Sequence, residues 1–182
     1  MGMVTAGYFT ADDVRAMPDD GNRYETVHGE LLVTPAPGSW HQMVLARMFK
    51  ALSAYLDANE REELLWSPAD ISFGDDTLVQ PDLFVADLGS ARLSGEWSDI
   101  RTLHLVIEAL SPSTARADRF TKRRLFQEQR IPEYWIVDIE QRQVEIWTPD
   151  AMLPTVEREC LTWRHPELHA TSVIELEKIF DR

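Results

Sequence analysis

Cysteine is nearly missing from this 182-residue chain, where Cys160 stands alone. A single thiol excludes an intrachain disulfide framework and a cysteine-cluster zinc site, and it suits a cytosolic protein. Apolar runs are short as well. None approaches the roughly 20 residues that a membrane span requires, so no membrane partner is expected. The start, MGMVTAGYFTADD, has neither a basic n-region nor a long apolar stretch, and a cytoplasmic location is expected. Positive charge is scarce, with 18 Lys and Arg against 31 Asp and Glu and a net charge of -13. That balance favours solubility and argues against coating DNA by bulk electrostatics. The eight glycines are scattered, without a phosphate-cradling loop or a dinucleotide fingerprint. No second histidine stands at a ligand-like spacing from His41, which speaks against a histidine-built zinc site. Without a G-x-S-x-G elbow, Ser111 and Ser113 fit a turn and helix cap better than a nucleophile.

What is present suffices for one domain over 1–182, with a hydrophobic fraction of 44% to fill its core. Thr10 and Asp13 predict a capped short helix that Pro18 to Gly21 ends. Residues 24–34 read as two short strands around Gly29. Ser39 is placed to cap a helix over 40–59, where Trp40, Val44, Met48, Leu52 and Tyr55 recur at three and four residues. Residues 64–66 and 71–73 predict short strands, and 78–86 one strand carrying Pro81 and Asp82. Residues 87–102 read as a surface connection and 103–110 as a buried strand. A helix is predicted over 116–129. YWIVDI and QVEIWT flank a turn and predict a hairpin, and Val173 to Ile179 a last strand or helix. The pattern is a mixed sheet with helices, hence α/β or α+β.

Two acids lie in apolar surroundings, Asp82 in LVQPDLFVA and Glu108 in LHLVIEAL. Ionised carboxylates are costly to bury without partners. At the ends of neighbouring strands they could hold Mg²⁺ or Mn²⁺ and serve phosphodiester hydrolysis; equally, they could face solvent from sheet edges. Arg116, Arg119, Lys122, Arg123, Arg124 and Arg130 crowd the segment that follows. They predict a local positive surface suited to phosphate, or charges paired with the many acids nearby. Lys122, one turn after Asp118, can reach back toward the carboxylates or form an ordinary helix pair. Glu30 offers a third acid or an outward hairpin residue. Trp97, Trp147 and Trp163 are candidates for exposed aromatics.

The blocks YETVHGELLVTPAPGSWHQMVLARMFKALSAYL, VQPDLFVA, LVIEALSPSTARADRFTKRRLFQEQRIPEYWIVD and VEIW together resemble the Uma2 family, once called DUF820, over residues 20–148. That family belongs to the restriction-endonuclease-like PD-(D/E)XK superfamily. The resemblance implies an α/β fold, a central mixed sheet flanked by helices, with a metal-dependent phosphodiesterase site. The family's PD motif falls on Pro81 and Asp82, and its E-V-L-S-P-S-T block on Glu108 to Thr114, with Ala109 replacing valine. The glutamate of its G-E-L segment falls on Glu30 and its histidine on His41. The aspartate and lysine after the S-P-S-T block fall on Asp118 and Lys122. A standard E-x-K would place lysine where this chain has Leu110, so the lysine is displaced to the following helix.

The resemblance therefore implies a Mg²⁺- or Mn²⁺-dependent endonuclease acting on DNA. Asp82, Glu108 and the Ala109 carbonyl would hold the metal, Lys122 would polarise the attacking water and Glu30 would complete the acidic wall. His41, Asp118, Arg119 and Arg123 would contact phosphate or support the carboxylates. The rival is a non-catalytic nucleic-acid-binding or assembly protein on the same fold, and a third reading takes RNA or a small phosphodiester as substrate. A homodimer is expected because closed twofold assemblies are common.

Overall fold

The computed structural model describes residues 7–61, 63–89, 94–100 and 102–181. Thr10 caps α1 (Ala11–Arg15) reciprocally: Asp13 N–H donates to Thr10 Oγ1 at 3.1 Å, and Thr10 N–H to Asp13 Oδ2 at 2.8 Å. β1 (Asn22–Val27) and β2 (Glu30–Pro35) form an antiparallel hairpin. His28 and Gly29 close it at φ of 51° and 79°, the positive pair that a type I′ turn needs. The long amphipathic helix is α2 (Ser39–Asp57). Its N-cap is Gly38, which makes no side-chain cap hydrogen bond, so Ser39 is the first helical residue and not the expected cap. Glycine tolerates that position at little cost.

After β3 (Leu64–Trp66) and β4 (Ile71–Ser72), the single strand expected over 78–86 is two. β5 (Leu78–Val79) joins β1 and β4 in a four-stranded sheet of order β2-β1-β5-β4. β6 (Leu83–Asp87) enters a six-stranded sheet. Pro81 has no N–H to continue a ladder, so the chain passes from one sheet to the other across Gln80, Pro81 and Asp82. The connection that follows contains a 3₁₀ turn, Trp97–Asp99; residues 90–93 and 101 of that expected surface segment lie outside the described residues.

β7 (Thr102–Ala109) and β8 (Glu133–Asp138) are the parallel pair at the centre of the large sheet. Their crossover runs through a π-helical segment, Ala117–Lys122, that continues as α3 (Arg123–Glu128). β9 (Gln143–Trp147) and β10 (Thr155–Glu157) extend the sheet in the order β10-β9-β8-β7-β6-β3. β11 (Cys160–Trp163) and β12 (Ser172–Glu175) form a separate hairpin, and α4 (Leu176–Phe180) ends the described chain. Among the described residues no helix is long and apolar enough to cross a membrane. The architecture is α/β, a mixed sheet flanked by helices.

Strand alternation divides the interior in two. Leu83, Val85, Leu105, Ile107, Trp135 and Val137 pack against α2, α4 and the β11–β12 hairpin. Phe84, Val106, Tyr134 and Ile136 face the other way, against Leu125 and Phe126 of α3 and Val27, Leu32 and Val79 of the small sheet. Glu108, two residues after Val106, shares this second face.

The β1–β2 turn fixes which hairpin residues turn toward that face, because a slip of one residue would invert them all. A Cβ on Gly29 would meet the Tyr8 ring at 2.4 Å, on a backbone that side chains rarely adopt. Gly29→Ala is therefore expected to lower stability by about 1–3 kcal/mol in urea denaturation. A change within experimental error would refute the claim that this turn sets the register.

Candidate functional site

The site lies where the two sheets meet. β1 turns Arg23 and Glu25 to the same face as Val27, two residues apart on a pleated strand. β7 supplies Glu108, the sheet-crossing segment supplies Asp82, and the first turn of the long helix supplies His41. The π-helical segment supplies Asp118 and Lys122, both buried. A π turn is a common local distortion at functional positions.

Lys122 is the knot. Its ammonium donates to Glu108 Oε1 at 2.7 Å, lies 2.8 Å from Glu25 Oε2 and stands 3.9 Å from Asp118 Oδ1. The side chain is 2% exposed, so these carboxylates are its entire environment in place of water. Burial alone lowers the proton affinity of such an amine. The three acids overturn that effect and hold Lys122 above its ordinary value, so it stays charged at any physiological pH.

Asp82 is held separately. Arg23 Nη1 donates to its Oδ1 at 2.8 Å, and the Ala109 N–H donates to its Oδ2 at 2.9 Å. His41 Nε2 stands 3.5 Å from the same Oδ2. Burial pushes the Asp82 carboxyl up, but the His41 hydrogen bond, the Arg23 charge and the Ala109 N–H outweigh it and hold the group below the usual carboxylate range. Glu108 shifts the other way. Burial raises it well above its ordinary value, Lys122 opposes, and the charges of Asp82 and Asp118 add to the rise. Glu25 is anchored on its far side by the Gln80 N–H, which donates to Oε1 at 2.7 Å.

Glu25, Asp82, Glu108 and Asp118 face two permanent cations, Arg23 and Lys122, which leaves two formal negative charges uncompensated. Among the described residues, no group of three or more His, Cys, Asp or Glu is arranged to hold a metal ion. Above the cluster opens a cleft of about 790 Å³, with Arg23, His41, Asp82 and Ala109 at its floor.

Of the residues singled out in the sequence, Asp82, Glu108, Ala109, Lys122, His41 and Asp118 come together here. Glu30 does not: it sits opposite Val27 at the turn end of the hairpin, half-buried and away from the cluster that Glu25 joins. The acid that the hairpin delivers is Glu25. Arg23 and Glu25 were missed, although R-x-E on one face of a strand is as anomalous a signal as Glu108 in LVIEAL. Arg119 and Arg123 are engaged elsewhere. Arg119 donates to Glu145 and Asp138 at 2.6 Å, while Arg123 lies over the Trp147 ring, 4.7 Å from its centroid. Arg124 pairs with Glu128 and Arg130 with Asp150. Three arginines of the segment, Arg119, Arg124 and Arg130, are thus neutralised by acids within the fold, and Arg123 is held by Gln127 and the Trp147 ring.

Asp118 gives the cluster a pH signature. Burial pushes its carboxyl up to about 6 from 3.8, with Lys122 opposing and the charges of Asp82 and Glu25 adding to the rise. A folded-state value above the unfolded one means a contribution to stability that is complete below the unfolded value and is lost as pH rises through about 6. Asp118→Asn should therefore gain stability relative to the parent between pH 5 and pH 7.5, on the order of 1–2 kcal/mol by urea denaturation. An identical difference at the two pH values would contradict the assignment.

Comparison with known proteins agrees with this architecture. The family model Uma2, described as "Putative restriction endonuclease", matches residues 11–177. A solved structure from Anabaena variabilis ATCC 29413, described as "a putative nuclease belonging to DUF820", aligns with a TM-score of 0.73 at 19% identity. The alignment covers 94% of this chain and 97% of that one, and at such identity the likeness is one of fold. No curated protein matches the chain. Because the family model runs from the first helix into the last, the chain belongs to the Uma2 family, with its restriction-endonuclease-like fold.

Proposed function

We propose that the protein is a Mg²⁺- or Mn²⁺-dependent nuclease that hydrolyses DNA phosphodiester bonds at the Asp82–Glu108 centre. The reach of Lys122 carries this reading: its ammonium arrives from a helix, 2.7 Å from Glu108 Oε1, although Leu110 occupies the strand position two residues after the acid. The donor set suits a hard divalent ion in kind. Asp82 and Glu108 offer carboxylates, the Ala109 carbonyl is the further ligand we propose, and Mg²⁺ keeps several waters and is commonly held by one or two carboxylates plus substrate phosphate. Bound there, such an ion supplies a more acidic water and offsets charge on the phosphoryl group.

The chain's own residues do the remaining work. His41 and the Ala109 N–H keep Asp82 ionised and fix its orientation. Lys122, held above its ordinary value by the acids around it, is a positioning residue that orients Glu108 from behind the cleft. Glu25 holds Lys122 from the opposite side, and Arg23 sets a second positive charge at the cleft floor. A homodimer, with two clefts serving one substrate, belongs to the same reading and is checked by light scattering.

Cleavage of labelled single-stranded, duplex and branched DNA with Mn²⁺ is the direct test. Asp82→Asn and Glu108→Gln should each lose about a hundredfold or more in rate, since several kcal/mol of charge stabilisation goes with the ion. EDTA should abolish the activity. Equal inactivity of parent and variants on every substrate would sink the enzyme reading.

One observation favours a second reading, a nucleic-acid-binding protein without catalysis. The Arg23 guanidinium, 2.8 Å from Asp82 Oδ1 and 4.0 Å from Glu108 Oε2, stands in the space a shared metal ion would take. Calorimetric titration separates the two: no heat of Mn²⁺ binding by the parent protein supports the second reading, and binding that Asp82→Asn removes supports the first.

A further inference from the structure

The cleft above the carboxylates has an unusual wall for a protein that acts on nucleic acid. Of the described residues lining it, only Arg23, His41, Lys50 and Asp82 are ionisable, and Arg23 is committed to Asp82. Its sides are Pro35, Pro37, Leu45, Phe49 and Pro68, and its rim carries Trp66. Trp66 is 58% exposed, far more than an indole packed in a core. The tryptophans expected to be exposed include two that are not: Trp147 and Trp163 are buried at 8% and 3%. Trp66 was not among them.

Its placement is fixed by the backbone. β3 pairs Trp66 with Leu83, and the Ser67 N–H donates to the Asp82 carbonyl at 3.2 Å. Trp66 is thus one residue across the ladder from the proposed metal ligand. Phe49 meets its ring edge-on, with centroids 5.2 Å apart and planes at 89°, a contact that props the indole without covering it.

Duplex binding draws chiefly on phosphate contacts by Lys and Arg. This chain carries a net charge of -13, its basic segment is largely paired internally, and Lys50 is the one lysine on the cleft wall. Aromatic stacking, which every base can supply once it is unpaired, draws on a different resource. A cleft of about 790 Å³ is of small-molecule size, with room for a nucleotide and not for a double helix.

We propose that the cleft takes an unpaired nucleotide of a single strand, its base stacked on Trp66 and its phosphate directed to Asp82, which lines the cleft with Glu108 buried behind it. The inference names the substrate class of the site proposed above and rests on that reading for the place of the phosphate. Gln42, uncharged and on the cleft wall, is a group for base edges and sugar hydroxyls, whereas the Asn22 and Gln80 amides already donate to Asp20 and Asp70.

The test is fluorescence anisotropy with a labelled 12-mer of dT, a 12-mer of rU and a 12-base-pair duplex, in Ca²⁺, with gels confirming that the probes stay intact. A single strand should bind about tenfold or more tighter than the duplex, with a log–log salt dependence shallower than about -2. Which of dT and rU binds better identifies the sugar. Trp66→Ala should weaken single-strand binding about 5- to 100-fold, and Trp66→Phe should keep most of it. Trp66→Leu, which preserves bulk against Phe49, guards against a folding defect and should resemble Trp66→Ala. Duplex preference, no binding to any probe, or variants that bind as the parent does would overturn the proposal. Its failure is distinct from that of the nuclease reading. Trp66-dependent binding without cleavage in Mn²⁺ retains this inference alone, and duplex cleavage indifferent to Trp66 retains the nuclease alone.

Discussion

A lysine ammonium sealed among three carboxylates holds together parts of the chain that are distant in sequence. Lys122 touches Glu25 from the small sheet and Glu108 from the large one, with Asp118 one turn before it. Neither sheet can leave the other without exposing an unpaired charge to a dry interior, and removal of one partner from such a pair commonly costs about 3–5 kcal/mol. The same contacts that join the sheets set the chemistry: they keep Lys122 protonated and position Glu108 behind Asp82. Stability and function therefore lean on one group.

The cluster is also unbalanced, and the imbalance has a direction. Burial raises Glu108 and Asp118, and the neighbouring carboxylates add to the rise, while Asp82 stays depressed by its three donors. Acids pushed apart in this way take different roles: Asp82 remains an anion toward the cleft, whereas Glu108 sits where another positive charge is most welcome. Arg23 partly answers that demand, which makes it a natural competitor for any cation entering from the cleft.

Much of this was legible in residue order, for physical reasons that can be named. Glu108 was conspicuous because LVIEAL has no apolar logic for an acid, and Lys122 because Leu110 fills the position where a strand lysine would stand. The hairpin of β8 and β9 followed from two apolar segments flanking a turn, and the long α2 from apolar residues recurring at three and four residues. The break at Pro81 was misread because residues on either side are strand formers; only the missing N–H separates two sheets there. Glu25 was passed over for Glu30, since the glycine before Glu30 drew attention to the turn, whereas the register of β1 decides which acid faces inward. For the basic segment a positive surface and pairing with acids both stayed open, because charge counts in sequence cannot show that Glu145, Asp138 and Asp150 return to meet it. β10 and β11 carried too few alternating residues to be read as strands.

The position of Trp66 on β3 has a last consequence, for the protein's behaviour toward its own copies. β3 is an edge strand, and an exposed indole on a long free edge invites another chain to add its own strand there. This edge is three residues long, and a proline follows directly after Ser67, so it offers few unpaired backbone groups as a template. The brevity of β3 lets an aromatic surface stand open to water while denying neighbouring molecules a ladder on which to aggregate.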